Sequence, residues 1–342
     1  MWNPFVSNSQ RTLGVDIGTA SIKVVELERG KPTRLLNYAQ FYTETEEGAF
    51  HYSSLKMRDS DIVDIIRRML ESAEIAPGNA AFSLPLFSSF STLLTLPRMK
   101  EEALANAVQF EARKFVPVPM SEVHFDWMVV EHLSNQREIR VLMVAVPNEI
   151  IQKYRGIATS LGLTLTALEL ESFSAARSLL GVDPRSTIIL DIGARATNVT
   201  IVEKGIVVIH HNSEISGFHF TRTLAQGLAL DMRRAGELKV EQGLRPDGQV
   251  AELLRPLVDK LVEEMRKLNE SYVRQGGTAV QRVLVNGGSA GMPELVGYLE
   301  KSLSIPAELG NPFLSVAVPD VLENAISVQP TDFSTAIGLA LR

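Results

Sequence analysis

The stretch that decides the fold occurs twice, from Thr12 to Gly30 as TLGVDIGTASIKVVELERG and from Thr187 to Gly205 as TIILDIGARATNVTIVEKG. The two copies align without gaps and share the central Asp-Ile-Gly together with four other identical positions, both ends included. Each copy is a β-rich run, then Asp-Ile-Gly, then a second β-rich run that ends in charge and glycine. That pattern is typical of a hairpin with its turn at the Asp-x-Gly. Two such hairpins indicate two halves built on one plan, the second beginning near residue 186.

The sequence between the copies predicts an inserted unit. After a third strand, a helix and a strand at 80–86, residues 87–168 follow the order strand, helix, strand, strand, helix, strand. A β-α-β-β-α-β order can form a self-sufficient α+β unit. We therefore expect an α/β protein with a first half at 1–86 and 169–185 plus a C-terminal helix at 331–342, an inserted subdomain at 87–168, and a second half at 186–330 that carries a helical subdomain at about 218–280.

Composition excludes several classes of protein. The 342 residues include 34 Lys+Arg and 40 Asp+Glu, a formal charge of −6, which argues against non-specific binding of nucleic acid. No run of apolar residues is long enough to span a membrane, and Met1–Phe5 lacks the features of a secretory signal. Cysteine is absent and the six histidines show no metal-binding spacing. There is no Gly-x-Ser-x-Gly nucleophile motif, so acyl transfer is unsupported.

The two Asp-Ile-Gly turns are candidates for phosphate binding. In the first turn, Gly18 allows close backbone approach, Thr19 and Ser21 can donate hydrogen bonds, and Lys23 adds positive charge. An aspartate such as Asp16 is suited to hold Mg²⁺ through water, because Mg²⁺ keeps most of its hydration shell. An ordinary hairpin turn is the alternative for one copy alone. Two copies in related halves favour a phosphate chain held between them.

Two further features are weaker on their own. Asn286–Pro293 reads NGGSAGMP, and its small residues after a predicted strand would let a flat ligand lie against bare backbone. A strand-to-helix loop with positive φ is the alternative. Glu169 and Glu171 lie where the chain returns from the insert, and a carboxylate there could orient a water molecule for hydrolysis. A solvated acid at a helix N-terminus is the alternative for either residue.

These motifs together resemble the superfold of the actin, hexokinase and DnaK-type ATPases. The features shared with it are the paired Asp-x-Gly hairpins, the late Gly-Gly loop and a Glu-x-x-x-Ala-Ala helix that begins at Glu171. The inserted unit resembles the extra subdomain of the FtsA-type branch. Within that branch, nearly the whole chain resembles the PilM family of type IV pilus assembly proteins. The stretches that carry this likeness are Leu13–Gly18 with Val24–Leu27, Glu111–Pro117 with Asp126-Trp127, Asp191–Ala194, Asn286–Gly288 and Ala336–Ala340.

The resemblance implies an ATP and Mg²⁺ site between the two halves. Asp16 and Asp191 would hold the metal through water, and Glu171 would be the catalytic acid that positions water. Relatives often carry Glu-x-x-Lys on the helix that contacts the ribose, whereas here Gly236 stands in place of that acid and Glu237 is the substitute. The residues implied to bind the nucleotide are Asp16, Gly18, Thr19, Ala20, Ser21 and Lys23 in the first turn, Asp191, Gly193, Ala194 and Thr197 in the second, Gly217 near the phosphates, and Glu237, Lys239, Gly287, Gly288, Ser289 and Met292 around the adenosine.

The resemblance also implies a partner and a location. Members of the PilM family are cytoplasmic, and they associate peripherally with the inner membrane by binding the N-terminal tail of a PilN-like membrane protein beside the insert, among other pilus assembly proteins. Phe82, Phe87 and Phe90 are apolar candidates for that groove, with burial in the core as the alternative. Hydrolysis of ATP would be slow or absent, at most a slow ATPase. The alternative functions are a filament-forming actin homologue and a sugar or acid kinase of the same superfold.

Overall fold

The computed structural model describes residues 11–43, 57–132, 137–246, 248–326 and 330–342. Its first sheet has six strands, numbered in chain order, and the chain leaves this sheet and returns to it three times. These strands are β1 (Arg11–Ile17), β2 (Ser21–Glu28), β3 (Thr33–Tyr42), β4 (Asn79–Leu84), β8 (Thr164–Leu170) and β14 (Val316–Ala317). They lie in the order β14-β3-β2-β1-β4-β8, which leaves β8 at one end of the sheet.

The second sheet repeats this plan. Its five strands are β9 (Thr187–Ile192), β10 (Thr197–Glu203), β11 (Ile206–Ser213), β12 (Arg282–Asn286) and β13 (Ala307–Leu309). The order β11-β10-β9-β12-β13 matches β3-β2-β1-β4-β8 strand for strand. Even the hairpin registers agree, because Ile17 pairs with Ile22, and the equivalent positions of the second copy, Ile192 and Thr197, pair in the same way. The duplication read from the sequence is therefore present in the topology.

A third sheet forms the insert, which we define as residues 90–147. Its elements are β5 (Phe90–Pro97), α2 (Glu101–Ala112), β6 (Val123–His132) and β7 (Glu138–Pro147), and the strands lie in the order β5-β7-β6. Buried residues of α2, such as Leu104 and Val108, pack on the sheet. The insert is thus a β-α-β-β unit.

The expected end of the insert at residue 168 is wrong. The next helix, α3 (Asn148–Ser160), packs Tyr154 and Ile157 into the core of the first sheet, and β8 pairs with β4 in parallel. Both elements therefore belong to the first half. Spacing along the sequence could not show this, because the partner strand of β8 precedes the entire insert in the chain.

Two helices cross between the halves. Helix α4 (Glu171–Leu180), which we expected in the first half, packs Ala176 and Leu179 against the second sheet. Helix α10 (Ser334–Ala340) instead packs on the first sheet, as expected for the C-terminal segment. At Gly338, a side chain would overlap the carbonyl of Ser174, so the two helices touch backbone to backbone. This crossing joins the halves behind the two hairpin turns.

The remaining helices cover the outer faces of the two sheets. The second half carries a helical region in which the chain breaks between α5 (Gly217–Leu228) and α6 (Met232–Glu241), because Asp231 accepts a hydrogen bond from the backbone N–H of Arg234 and so caps a new helix. No helix among the described ranges combines the length and apolar character needed to cross a membrane. These helices are α1 (Asp59–Ser72), α5 (Gly217–Leu228), α6 (Met232–Glu241), α7 (Gln249–Arg274), α8 (Leu295–Leu303) and α9 (Asp320–Ile326).

Candidate functional site

The two hairpin turns face each other across a cavity between the halves. This central cavity has a volume of about 600 Å³, within the range of sites for small ligands. It brings together most of the residues that the sequence predicted. Those that line it are Asp16, Gly18, Thr19, Ala20, Ser21, Lys23, Glu171, Asp191, Gly193, Ala194, Gly217, Lys239, Gly287, Gly288 and Ser289.

Three predicted residues do not line the central cavity. Thr197 and Met292 are buried beneath it. Glu237 pairs with Arg233 and Arg234 on α6, each at 2.8 Å. The adjacent residue Gly236 does line the cavity, because successive residues of a helix point about 100° apart. The proposed substitution of Glu237 for the ribose-binding acid is therefore not supported by its position.

Glycine is needed at the same place in both turns. A Cβ on Gly18 would lie 3.1 Å from the carbonyl oxygen of Ser21, and a Cβ on Gly193 would lie 2.9 Å from that of Ala196. These two pairs occupy equivalent positions in the two copies of the repeat. The turns close tightly because glycine lets these carbonyls approach, and the cavity side of each turn is bare backbone.

The aspartates of the two turns are held by different neighbours. Asp16 accepts a hydrogen bond of 2.7 Å from the Ser83 hydroxyl, and Lys23 Nζ lies 3.9 Å from its other oxygen. Asp191 accepts a hydrogen bond of 3.1 Å from the Asn286 side chain. Burial raises the pKa of Asp191 to about 6, although the bond from Asn286 and the charge of Lys23 oppose the rise.

Glu171 lies between the halves at the first residue of α4. Its Oε1 accepts hydrogen bonds from the Leu86 backbone N–H at 3.3 Å and from Asn198 Nδ2 at 2.8 Å. Burial raises the pKa of Glu171 to about 8, and the Asp16 and Asp191 carboxylates act in the same direction. In the unliganded protein, Glu171 is therefore mostly a neutral acid at pH 7, and a cation at this place would favour its ionised form.

The donor set fits a hydrated magnesium ion bound with phosphates. Within the described ranges, no three His, Cys, Asp or Glu side chains gather closely enough to hold a metal by themselves. Mg²⁺ does not need such a cage, since it commonly takes one or two carboxylates together with waters and phosphate oxygens. The far wall of the central cavity suits a nucleoside, because Gly217 and Gly236 line it without side chains beside Lys239, whose Nζ lies 3.4 Å from the Gly217 carbonyl oxygen.

Several residues of the site were not predicted from the sequence. Asn198 was findable, because it occupies the position of Lys23 in the repeat. Asp332 carries no local signal, since it reaches the cavity from the 3₁₀ helix Pro330–Phe333. Ser83 carries none either, since it is buried on strand β4 and acts on the site through its hydrogen bond to Asp16. Arg195, in the second turn, makes contacts within the protein and is not among the lining residues.

A second cavity, the side groove, separates the insert from the first half. It has a volume of about 690 Å³ and lies between two end strands, β6 of the insert and β8 of the first sheet. Apolar side chains dominate its walls, and Arg155, Glu169 and Arg342 supply charge. The apolar residues along it include Trp127, Met128, Leu142, Val144, Ile151 and Leu168.

The three phenylalanines proposed for this groove lie elsewhere. Phe82 is fully buried in the core of the first half, and Phe90 packs against the core of the insert. Phe87 is 54% exposed and lines the central cavity instead. Position near the insert boundary was therefore a poor guide, because the groove is formed by strands that the chain reaches later.

Comparison with known proteins agrees with this architecture. A structure described as a PilM–PilN type IV pilus biogenesis complex matches with a TM-score of 0.80 and 25% identity, over 97% of this chain and 98% of that one. The ethanolamine utilization protein EutJ from Carboxydothermus hydrogenoformans matches with a TM-score of 0.57 at 18% identity, covering 99% of this chain and 91% of that one. MreB5 of Spiroplasma citri bound to ADP matches with a TM-score of 0.54 at 12% identity, covering 96% and 95% of the two chains.

The latter two likenesses concern the fold alone, and together with the first they confirm the expected actin-like fold with two related halves. A family model described as type IV pilus assembly protein PilM matches residues 14–342. With that match over nearly the whole length, the chain belongs to the PilM family of type IV pilus assembly proteins.

Proposed function

We propose that this protein is a nucleotide-binding scaffold of type IV pilus assembly. It binds ATP with Mg²⁺ in the central cavity and the N-terminal cytoplasmic tail of a PilN-like inner-membrane protein in the side groove. It acts in the cytoplasm, held at the inner membrane by that partner and in contact with other pilus assembly proteins. The observation that carries the proposal is the pairing of two equivalent Asp-x-Gly turns across one cavity, next to a groove between two open strand edges.

The central cavity supports nucleotide binding through its two turns. Bare backbone at Gly18 and Gly193 can approach phosphate oxygens from both sides, and Lys23 supplies positive charge. Magnesium bound with the phosphates would neutralise part of their charge. Asp16 and Asp191 would hold its waters from opposite halves, and the nucleotide would thereby favour closure of the halves.

Glu171 supports at most slow hydrolysis. It lies between the two aspartates, where it can orient a water molecule toward the phosphates. Its oxygen is already bound by Asn198 and by the Leu86 N–H, and a fixed, largely neutral acid is a weak base at pH 7. These contacts therefore favour a protein that binds ATP and hydrolyses it slowly over an enzyme that hydrolyses ATP rapidly.

The side groove supports binding of an extended peptide. Both of its long walls end in strands that have a partner on one side only, and a peptide can add to such an edge while its alternate side chains fill apolar pockets. The similar solved structure is a PilM–PilN complex, which supports a PilN-like tail as the occupant.

Nucleotide binding is tested by calorimetric titration with Mg-ATP. The double substitution Asp16→Asn and Asp191→Asn keeps side-chain size but removes both charges, and we expect at least a tenfold loss of affinity that is largest when Mg²⁺ is present. Asp64→Asn, in an exposed ion pair with Arg67 on α1, is the matched control and should bind as the parent does. Unchanged affinity in the double variant would remove Mg-ATP from this cavity.

Filament formation is the second candidate and comes from the similarity in fold to MreB5. Sedimentation with and without Mg-ATP distinguishes a scaffold from a filament. A scaffold stays in the supernatant under both conditions, whereas ATP-dependent pelleting would favour a filament.

A further inference from the structure

We propose that Asp332 is the acid that binds the ribose hydroxyls of the nucleotide. This inference rests on the proposed binding of ATP and assigns a residue that neither the repeat nor the family motifs point to. Asp332 belongs to the 3₁₀ helix Pro330–Phe333, immediately before α10, and its side chain lines the central cavity together with Gly287 and Gly288. It is 9% exposed, so its carboxylate faces the cavity and not bulk solvent.

The carboxylate of Asp332 is held in place from both halves. Gln40, on β3 of the first sheet, donates a hydrogen bond of 3.2 Å to Oδ2. Two residues close to Asp332 in the sequence bind the Gly-Gly loop of the second half. The Thr331 hydroxyl donates to the Gly287 carbonyl at 3.2 Å, and the Ser334 hydroxyl donates to Asn286 Oδ1 at 2.6 Å.

The second oxygen of Asp332 lies over the Gly-Gly loop. A Cβ on Gly288 would be 3.4 Å from Oδ1, so the absence of a side chain at Gly288 opens the space beside this oxygen. A ligand lying against the loop would therefore meet a fixed carboxylate oxygen. An acid anchored through its own hydrogen bond and those of its neighbours needs little reordering to bind.

The chemistry of a carboxylate limits what it can face. It accepts hydrogen bonds and repels phosphate oxygens, so the ligand group beside Asp332 must be a donor. ATP offers two kinds of donor, the sugar hydroxyls and the 6-amino group of adenine. Asp332 lies near enough to Asp191 of the second turn to act on that carboxylate, which favours the sugar, since the sugar lies between the phosphates and the base. A ligand that lacks such a hydroxyl leaves the acceptor buried and unpaired, and it should therefore bind measurably more weakly.

The other carboxylates that line the cavity belong to the two turns or to the start of α4, where the phosphates would lie. Asp16 is bound by Ser83, Asp191 by Asn286, and Glu171 by Asn198. Residue 236, on the helix face that lines the cavity, is a glycine, and Glu237 is turned away toward two arginines. Of the acids in the described part of the chain, Asp332 is the one placed to replace the missing ribose-binding glutamate.

The test is a comparison of ligands that differ by one hydroxyl. The parent, Asp332→Ala and Asp332→Asn are titrated with Mg-ATP, Mg-2′-deoxy-ATP and Mg-3′-deoxy-ATP. We expect the parent to bind ATP about tenfold more tightly than at least one deoxy analogue. In Asp332→Ala, the affinity for ATP should fall about tenfold and become equal to the affinity for that analogue. Asp332→Asn keeps one acceptor oxygen and the size of the side chain, so its affinity for ATP should lie between those of the parent and Asp332→Ala. Glu237→Ala is the matched control and should bind all three as the parent does.

Each contrary result has a distinct meaning. If Asp332→Ala lowers affinity for all three nucleotides by the same factor, the role is structural and the inference fails while nucleotide binding stands. If the loss occurs only in the presence of Mg²⁺, Asp332 serves the metal and the inference also fails. If Glu237→Ala shows the loss, the ribose acid is Glu237. If the folded parent binds none of the three, the proposed function itself fails and this inference with it.

Discussion

The guanidinium of Arg140 lies over the ring of Tyr272, with its central carbon 5.7 Å from the ring centroid. Arg140 belongs to β7 of the insert, whereas Tyr272 lies in the last turn of α7 in the second half. The guanidinium also donates to the Gln275 carbonyl just beyond the helix, where a positive charge is favoured by the helix dipole. With 1% exposure, Arg140 is among the most deeply buried side chains of the described chain.

This contact fastens the insert to the second half. The Tyr272 hydroxyl and Thr278 both donate to the buried carboxylate of Glu203, which completes a polar cluster behind the stacked ring. At the adjoining strand, Ser91 of β5 forms a 3.1 Å hydrogen bond with His210 of β11. The insert is thus joined covalently to the first half and by packing to the second. The side groove lies between the insert and the first half, and the central cavity lies between the two halves. Movement of the second half that carries the insert with it can therefore change the width of both.

Removing the guanidinium should uncouple the two sites. In the parent we expect Mg-ATP to change the affinity for a PilN-like tail peptide by about fivefold, the lower end of usual allosteric coupling. In Arg140→Met, which fills a similar volume without charge, that factor should approach one, and stability should fall by about 2 kcal/mol because the partners of Arg140 remain buried. Peptide titrations with and without Mg-ATP measure this coupling factor. Arg113→Met, an exposed arginine of the insert, is the control, and equal coupling in both variants would contradict the mechanical link.

Alanine substitutions at Gly287 and Gly291 should show that the fold requires glycine at the first position and not at the second. Gly287 has a φ of +87°, and a Cβ there would collide with the Asp191 carboxylate and the Ile192 carbonyl. We expect Gly287→Ala to lower the free energy of unfolding by about 1–3 kcal/mol and to weaken Mg-ATP binding more than tenfold. Gly291→Ala, in the same loop with nothing within 4 Å of the added carbon, should change neither. Thermal unfolding and titration of both variants check this, and a tolerant Gly287 would contradict the loop geometry.

The pH dependence of unliganded stability should come in part from Glu171. Its pKa is about 8 in the folded protein and near 4.5 in the unfolded chain, so the folded state favours the protonated form. The Glu171 carboxyl therefore has no effect on the free energy of unfolding below pH 4.5, and it lowers that free energy increasingly as the pH rises toward 8. Asp191, with a pKa of about 6, acts in the same direction over a lower range.

The isosteric variant Glu171→Gln removes that dependence. Compared with the parent, it should unfold about 2–4 °C higher at pH 8.5 and at nearly the same temperature at pH 5. Glu169→Gln is the control of opposite sign: burial acts to raise the pKa of Glu169, but the Arg177 guanidinium outweighs burial and holds that pKa below its usual value. That variant should be less stable than the parent at neutral pH and converge with it in acid. If the unfolding temperatures of the parent and Glu171→Gln differ by the same amount at pH 5 and at pH 8.5, Glu171 is ionised in the folded protein without a cost in stability, and the prediction is contradicted.

The local part of the fold was predictable and the long-range part was not. The repeat revealed both hairpins, since a hairpin and its turn are encoded in one short run of adjacent residues. Strand β8 was placed in the wrong unit because its pairing with β4 spans the whole insert. Helix α4 was placed on the wrong sheet because an amphipathic pattern shows that a face is buried but not against what.

The site divides in the same way. Residues of the turns were found from the repeat, whereas Asp332 reaches the cavity from the end of the chain. Ser83, buried on β4, acts on the site through its hydrogen bond to Asp16. Glu237 was predicted as the acid next to Gly236, but residue 236 is the one on the helix face that lines the cavity, and Glu237 pairs with Arg233 and Arg234 instead. The side groove could not be located either, because its walls come together only when two separate sheets are in place.

The most direct test of partner binding is a titration of the protein, in Mg-ATP, with a labelled peptide from the N-terminus of its PilN-like partner. Met128→Glu places a charge on an exposed apolar residue of the side groove, and Phe110→Glu places one on an exposed apolar residue of the insert outside it. We expect saturable micromolar binding to the parent and to Phe110→Glu, and a loss of affinity of at least tenfold in Met128→Glu. Absence of binding to the folded parent, or equal binding to both variants, would contradict a scaffold that recruits its partner through this groove.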